Sequence, residues 1–442
     1  MKKFFTLSVA FAVCASLSAE TVKIFRISEG GIPGLTEPEL YGTGISPNGN
    51  YFCGVLPDGV GVFIGDTRSG DIKFQVFDSE DGGELRAVDN NGLGIGFETQ
   101  GITYSFASDK ISMIETPDTV KTFIGEDLTP DGSFWVGSFS QASFSTMAVC
   151  KKADGDWNIL PMPTKEDLGG YAGKVRMESA AKEVSDDGKY ILGNIGGFGA
   201  PILWVRNDKG EYEVDFFPSR YVKLEEKDIA DDSKPFYAIS GMYGYCLSDN
   251  GKYVAFLALM KDADDLDINV AAVYDTQTKE VKIYNDYQEI DELGLGLYPQ
   301  AIANDGTFIG CVGKPIFGSS GAFIMKAGSS VAESFNNAFP EFYEKLGETD
   351  MLGYNVPTGI SADGSKILGY TFYADDFYSA EGDAYYETYM IDRSEELAVG
   401  EIPSSSVAPE SIYSIDGRRL QSLSKGINIV RNADGTTSKI LK

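Results

Sequence analysis

Seven times along this chain the same short pattern returns. An apolar residue, Ser or a substitute, one further residue, Asp or Asn and then Gly lead into a hydrophobic run with Gly. The copies are GISPNGNYFCG (44–54), AVDNNGLGIGF (87–97), DLTPDGSFWVG (127–137), EVSDDGKYILG (183–193), CLSDNGKYVAF (246–256), AIANDGTFIGC (301–311) and GISADGSKILG (359–369). Their turn glycines are Gly49, Gly92, Gly132, Gly188, Gly251, Gly306 and Gly364, spaced by 43, 40, 56, 63, 55 and 58 residues. Asp/Asn-Gly between alternating apolar runs marks a hairpin, because glycine reaches φ > 0 without a Cβ clash. A hairpin unit recurring at about 40–50 residues or slightly more predicts an all-β chain, a seven-bladed β-propeller of four-stranded blades.

The second repeat shows the unit most plainly: ELRAVD (84–89), LGIGFE (93–98), GITYSFA (101–107) and KISMIE (110–115) are four short strands joined by tight turns. The last repeat supplies only three, PTGIS, KILGYTF and YYETYMID, while the extended segment TVKIFRI (21–27) precedes the first. That segment is expected to pair into the last blade and close the ring, removing open sheet edges. The Ser-x-Asp-Gly turn before a glycine-containing strand resembles the extracellular HAF-type and WD-type propeller repeats, over about residues 21–396.

With strands a to d in each blade, the a–b and c–d connections share one face and are short throughout. The longer segments, 163–178, 218–243 and 331–355 (d–a) and 261–269 and 373–384 (b–c), all fall on the other face, which marks it as the expected binding face. They carry aromatics and acids suited to stacking on sugar rings and accepting from their hydroxyls, or to holding a cationic peptide. The candidate ligand residues are Tyr171, Phe236, Tyr237, Phe342, Tyr343, Asp375, Asp376, Phe377 and Tyr378. For any single aromatic, packing of the loop onto the ring is the competing reading, and the stripe in 333–346 (ESFNNAFPEFYEKL) reads first as a short core-facing helix.

Two further chemistries have candidate residues. Asp262, Asp264, Asp265 and Asp267 crowd oxygen ligands of the kind calcium takes, but the spacing is not that of an EF-hand loop, and a solvated acidic loop competes. No cofactor other than calcium is expected. Asp375-Asp376 near Glu381 and Asp383 could supply the carboxylate pair of a glycoside hydrolase. The chain has no histidine, which excludes Ser-His-Asp and Cys-His catalysis and His-ligated zinc. With 37 basic against 66 acidic residues the net charge is −29, so a nucleic-acid partner is not expected.

Both ends read as addresses. Met1-Lys2-Lys3, the apolar run to Leu17 and Ser18-Ala19 have the form of a secretory signal peptide over 1–19, too short for a membrane span. Cys53, Cys150, Cys246 and Cys311 then remain, each inside an apolar strand-like run and expected as buried thiols. After a propeller over 20–396 and a Ser/Pro-rich linker over 397–411, a small C-terminal β module over 412–442 turns basic. This tail resembles the C-terminal sorting domain of type IX secretion cargo, through Ile412, Tyr413, Asp416, Gly417, Arg418, Lys425, Gly426, Ile427, Ile429, Lys439 and Lys442. The resemblance implies recognition by an outer-membrane translocon, then removal with release or attachment at the cell surface.

Together these features point to a secreted or cell-surface propeller acting as a non-catalytic binding module for glycan or protein. A carboxylate-based glycan-degrading enzyme and a structural or adhesion protein without a small ligand are the alternatives.

Overall fold

The computed structural model describes residues 21–26, 40–77, 82–140, 146–164, 178–195, 200–216, 245–261, 267–284, 286–287, 296–313, 321–347, 352–374, 384–394, 411–414, 419–420, 427–431 and 437–441. Seven antiparallel sheets, one per repeat, each carry the meander order. The first blade is Tyr41–Ile45, Tyr51–Val55, Gly61–Asp66 and Ile72–Val76. The remaining blades follow in chain order, beginning at Glu84, Thr122, Ser179, Tyr245, Leu297 and Leu352. The sixth gains a short fifth strand, Asp286–Tyr287, paired in parallel with Val331 and Ala332.

The ring closes as expected. Thr21–Phe25 forms the outer strand of the seventh blade, in antiparallel register from Thr21 opposite Asp392 to Phe25 opposite Thr388. Phe25 also packs on Phe52 of the first blade, centroids 4.4 Å apart. Thr388 ties the same two blades, accepting from the Gly42 amide (2.9 Å) and donating to the Leu40 carbonyl (2.7 Å).

The repeat motif has a physical reason at each position. In the seventh blade the Ser361 hydroxyl donates to Asp363 (2.7 Å) and accepts the Lys366 amide (2.9 Å), while Asp363 accepts the Ser365 amide (2.9 Å). Ser46, Ser185 and Ser248 repeat the arrangement, and Thr129 does so in the third blade. All seven turn glycines have positive φ, from 63° to 93°. Adjacent turns are stitched to one another: Asn90 N to Pro130 O (2.9 Å), Asp186 N to Asp249 O (2.6 Å), Asn304 N to Ala362 O (2.9 Å) and Ala362 N to Pro47 O (2.8 Å).

The glycine inside the second strand answers a bulge in the first. Six innermost strands shift register at one place, skipping Thr43, Arg86, Glu126, Lys182, Gln300 and Thr358. The bulge bends the strand so that a Cβ on Gly54 would stand 2.0 Å from the Tyr41 carbonyl oxygen, and one on Gly96 would stand 1.9 Å from that of Glu84. No side chain fits there. The fifth repeat has Ala255 and Phe256 instead, and its described innermost strand pairs without a bulge.

Apolar side chains fill the spaces between neighbouring blades. Cys53, Val62 and Ile64 of the first meet Leu85, Ile102 and Tyr104 of the second, all with no exposed surface. The four cysteines are buried and free. No helix among the described residues is long and apolar enough to cross a membrane. Ser411–Ser414, Arg419–Leu420, Ile427–Arg431 and Thr437–Leu441 form a separate four-stranded sheet, beginning one residue inside the expected linker.

Candidate functional site

The innermost strands of all seven blades wall a central cavity of about 440 Å3. Its lining is set by the bulges. Each skipped residue lies six positions before its turn glycine, and all six border the cavity: Thr43, Arg86, Glu126, Lys182, Gln300 and Thr358. Tyr245 holds the same offset in the fifth blade and also borders it. These seven side chains share a place in the fold but no single chemical type: two are threonines, two are basic, and the others are a carboxylate, an amide and a phenol.

On one side Glu126, only 8% exposed, is an ion-pair partner of both Arg86 and Lys182, and Arg86 also pairs with Glu84. One layer on, Asp127 accepts the Val184 amide of the next blade (2.8 Å) and the Leu128 amide (2.8 Å), and Glu183 accepts the Leu247 amide of the blade after that. These carboxylates bridge the third, fourth and fifth blades. Desolvation pushes Asp127 up to about 8 against the pull of those amides, and drives Glu183 well above its ordinary range. Desolvation, with Asp186 nearby, brings Asp249 up to about 7. On the opposite side Gln300 Nε2 and Thr358 Oγ1 are buried without a hydrogen-bond partner.

A second depression, about 720 Å3, is lined by the turns themselves, among them Asn48, Asn90, Asp131, Asp187, Asp249 and Asp363. Asp249 borders both spaces. Among the described residues no group of three His, Cys, Asp or Glu side chains is placed to hold a metal ion.

The long-loop candidates fare differently. Phe342 is fully buried and packs edge-on against Phe335 and Tyr389. It is therefore core, a correction to its reading as a ligand platform; the short helices at Phe335–Ala338 and Pro340–Phe342 carry the apolar stripe inward. Tyr343 beside it is 40% exposed. Asp267 sits in the strand Asp267–Asp275 opposite Lys261, in a ladder rather than a loop. Lys439 lies in Thr437–Leu441. Tyr171, Phe236, Tyr237, Asp375, Asp376, Phe377, Tyr378, Asp262, Asp264, Asp265, Asp416, Gly417, Arg418, Lys425, Gly426 and Lys442 lie outside the described residues.

No protein-family model and no curated protein matches this sequence. Solved structures with some likeness include TolB from Acinetobacter baumannii, 15% identical over 64% of this chain and 62% of that one, with a TM-score of 0.37. The chain thus spans less than two thirds of that protein. An oligogalacturonate lyase from Vibrio parahaemolyticus is 10% identical over 84% and 97%, TM-score 0.48. Hydrazine synthase from Kuenenia stuttgartiensis is 12% identical over 80% and 98%, TM-score 0.42. The propeller assignment rests on the strand pairing itself.

Proposed function

We propose that this chain is a secreted or cell-surface propeller acting as a non-catalytic binding module for glycan or protein. The observation that carries the reading is the central channel, whose wall is a ring of seven polar side chains of mixed type, two of them with an unmatched polar atom. A buried polar atom costs about 1–3 kcal/mol without a partner, and a ring that served closure alone would gain from apolar side chains there. The channel carboxylates are meanwhile engaged in holding blades together, which favours recognition over acid–base chemistry. Export by the segment 1–19 and sorting through the 412–442 tail would place this module outside the cell, with the translocon as a second partner.

Thermal unfolding of the protein against a glycan panel, with calcium or with chelator, tests the reading. A ligand at about 100 times its Kd adds about 2.7 kcal/mol. A glycan-specific rise supports it; a rise with calcium alone moves the site to the 262–267 segment. No shift with any glycan or with candidate surface proteins contradicts it. The enzyme alternative draws on the raised carboxylates Asp127 and Glu183 and on Asp375 and Asp376. It requires product from polysaccharide, lost on their substitution.

A further inference from the structure

We propose that the central channel is itself a ligand site, taking a neutral, hydroxyl-rich molecule of mono- to disaccharide size between the Arg86–Glu126–Lys182 side and the Gln300–Thr358 side. The inference rests on the binding reading above and narrows it to one ligand class and one place, distinct from the aromatic loops.

Charge excludes the simpler occupants. Arg86 and Lys182 already share Glu126, and Arg86 shares Glu84 as well, so an incoming anion meets no uncommitted cation. An incoming cation fares no better. Both oxygens of Asp127 and one of Glu183 accept backbone amides, and desolvation, which raises Asp127 to about 8 and Glu183 well above its ordinary range, disfavours their charged forms. A ligand matched to this wall must bring both donors and acceptors without net charge.

The unmatched atoms say the same. Gln300 Nε2 can only donate, and Thr358 Oγ1 can do either. They occupy equivalent places in adjacent blades and are shielded in this state; rotation of either side chain about its last torsion would present it to the channel, where two neighbouring hydroxyls of one ligand would serve both. Tyr245 offers an aromatic wall whose hydroxyl is already fixed by Asn194 Nδ2 at 2.7 Å. The volume falls in the lower part of the span of about 300–1,000 Å3 typical of small-molecule sites. Asp249, which borders both the channel and the turn-face depression, makes that face the proposed entry.

Calorimetric titration of the full chain with N-acetylglucosamine, maltose, cellobiose and lactose tests this, with sodium citrate and calcium chloride as charged probes. At least one neutral saccharide should bind with Kd of about 1 mM or tighter. Gln300→Leu and Thr358→Val should each weaken it at least about tenfold while leaving the unliganded melting temperature equal or higher. The second change is nearly isosteric and keeps the test alive where the first disturbs folding. A saccharide that binds both variants as it binds the parent overturns the channel site and leaves the binding reading standing. Heat from citrate or calcium and none from the saccharides overturns the ligand class. Silence from all four saccharides, even at about 50 mM, overturns the proposal, and the wider glycan and protein panel then decides the reading it rests on.

Discussion

Gln300 and Thr358 stand at the same place in neighbouring blades, each six residues before its turn glycine, and each ends in a buried polar atom that no protein group meets. Both are bulge residues. As bulge residues they leave the ladder, which frees their side chains from sheet packing, whereas Tyr245 borders the channel at the same offset without a bulge. One irregularity, repeated in six of the seven blades, thus supplies most of the wall on which recognition would depend.

Closure should be worth much of the stability. Deleting residues 20–28 removes Val22 and Phe25 from the core and exposes the edge at Ala384–Asp392. Phe25→Ala alone should cost about 3–5 kcal/mol, with the whole deletion costing more, read as a fall in the denaturation midpoint. An unchanged midpoint would show that the strand pairing does not hold in solution.

The turn hydroxyls should act additively. Ser361→Ala strands the Lys366 amide and releases Asp363, at a cost of about 1–2 kcal/mol. Ser185→Ala, on the far side of the ring, should cost a similar amount, and the double variant should show the sum. Chemical denaturation of the three variants checks this.

These turns were fully legible in the sequence, because each places a chemically required residue at a fixed offset: a hydroxyl for Ser361, a carboxylate for Asp363, φ > 0 for Gly364 (73°). The strand glycines were legible as a pattern, and their cause could have been read too, since an isolated glycine in a strand signals close backbone approach. The channel wall was not. Its positions recur at a fixed distance from the turn, but Thr43, Arg86, Glu126, Lys182, Tyr245, Gln300 and Thr358 form no motif, because the fold requires only that something point inward there. Conversely, the aromatic signal misled at Phe342, where an apolar ring in a long connection serves the core.

Stability should fall as pH rises from about 4 to about 8. Asp127 and Asp249 have folded-state values of about 8 and about 7, above the ordinary 3.8, so the folded chain holds protons that the unfolded chain has released. The folded state therefore binds more protons across that window, and by linkage their contribution is present below pH 4 and lost as pH passes the folded values. Glu183 adds to the same trend. Asp127→Asn should flatten the slope of melting temperature against pH; an unaltered slope would assign the dependence elsewhere.

The four core thiols should be inert in the native state. Burial pushes Cys53 and Cys150 up to about 12 and raises Cys246 and Cys311 well above the ordinary range. Iodoacetamide at pH 8 should label none of them until denaturant is added, and a disulfide-trapping oxidant should leave the melting temperature unchanged. Rapid native labelling of any one would place it outside the packed seams between blades.

The most direct test of a binding propeller without catalysis is one sample measured twice. The full chain is incubated with the glycan that most raises its melting temperature, binding is quantified at equilibrium, and the recovered glycan is then sized. Saturable binding with the glycan recovered intact is the expected result. Shortened products that accumulate with time, and that vanish on Asp127→Asn or Asp375→Asn, would contradict it and make this chain an enzyme.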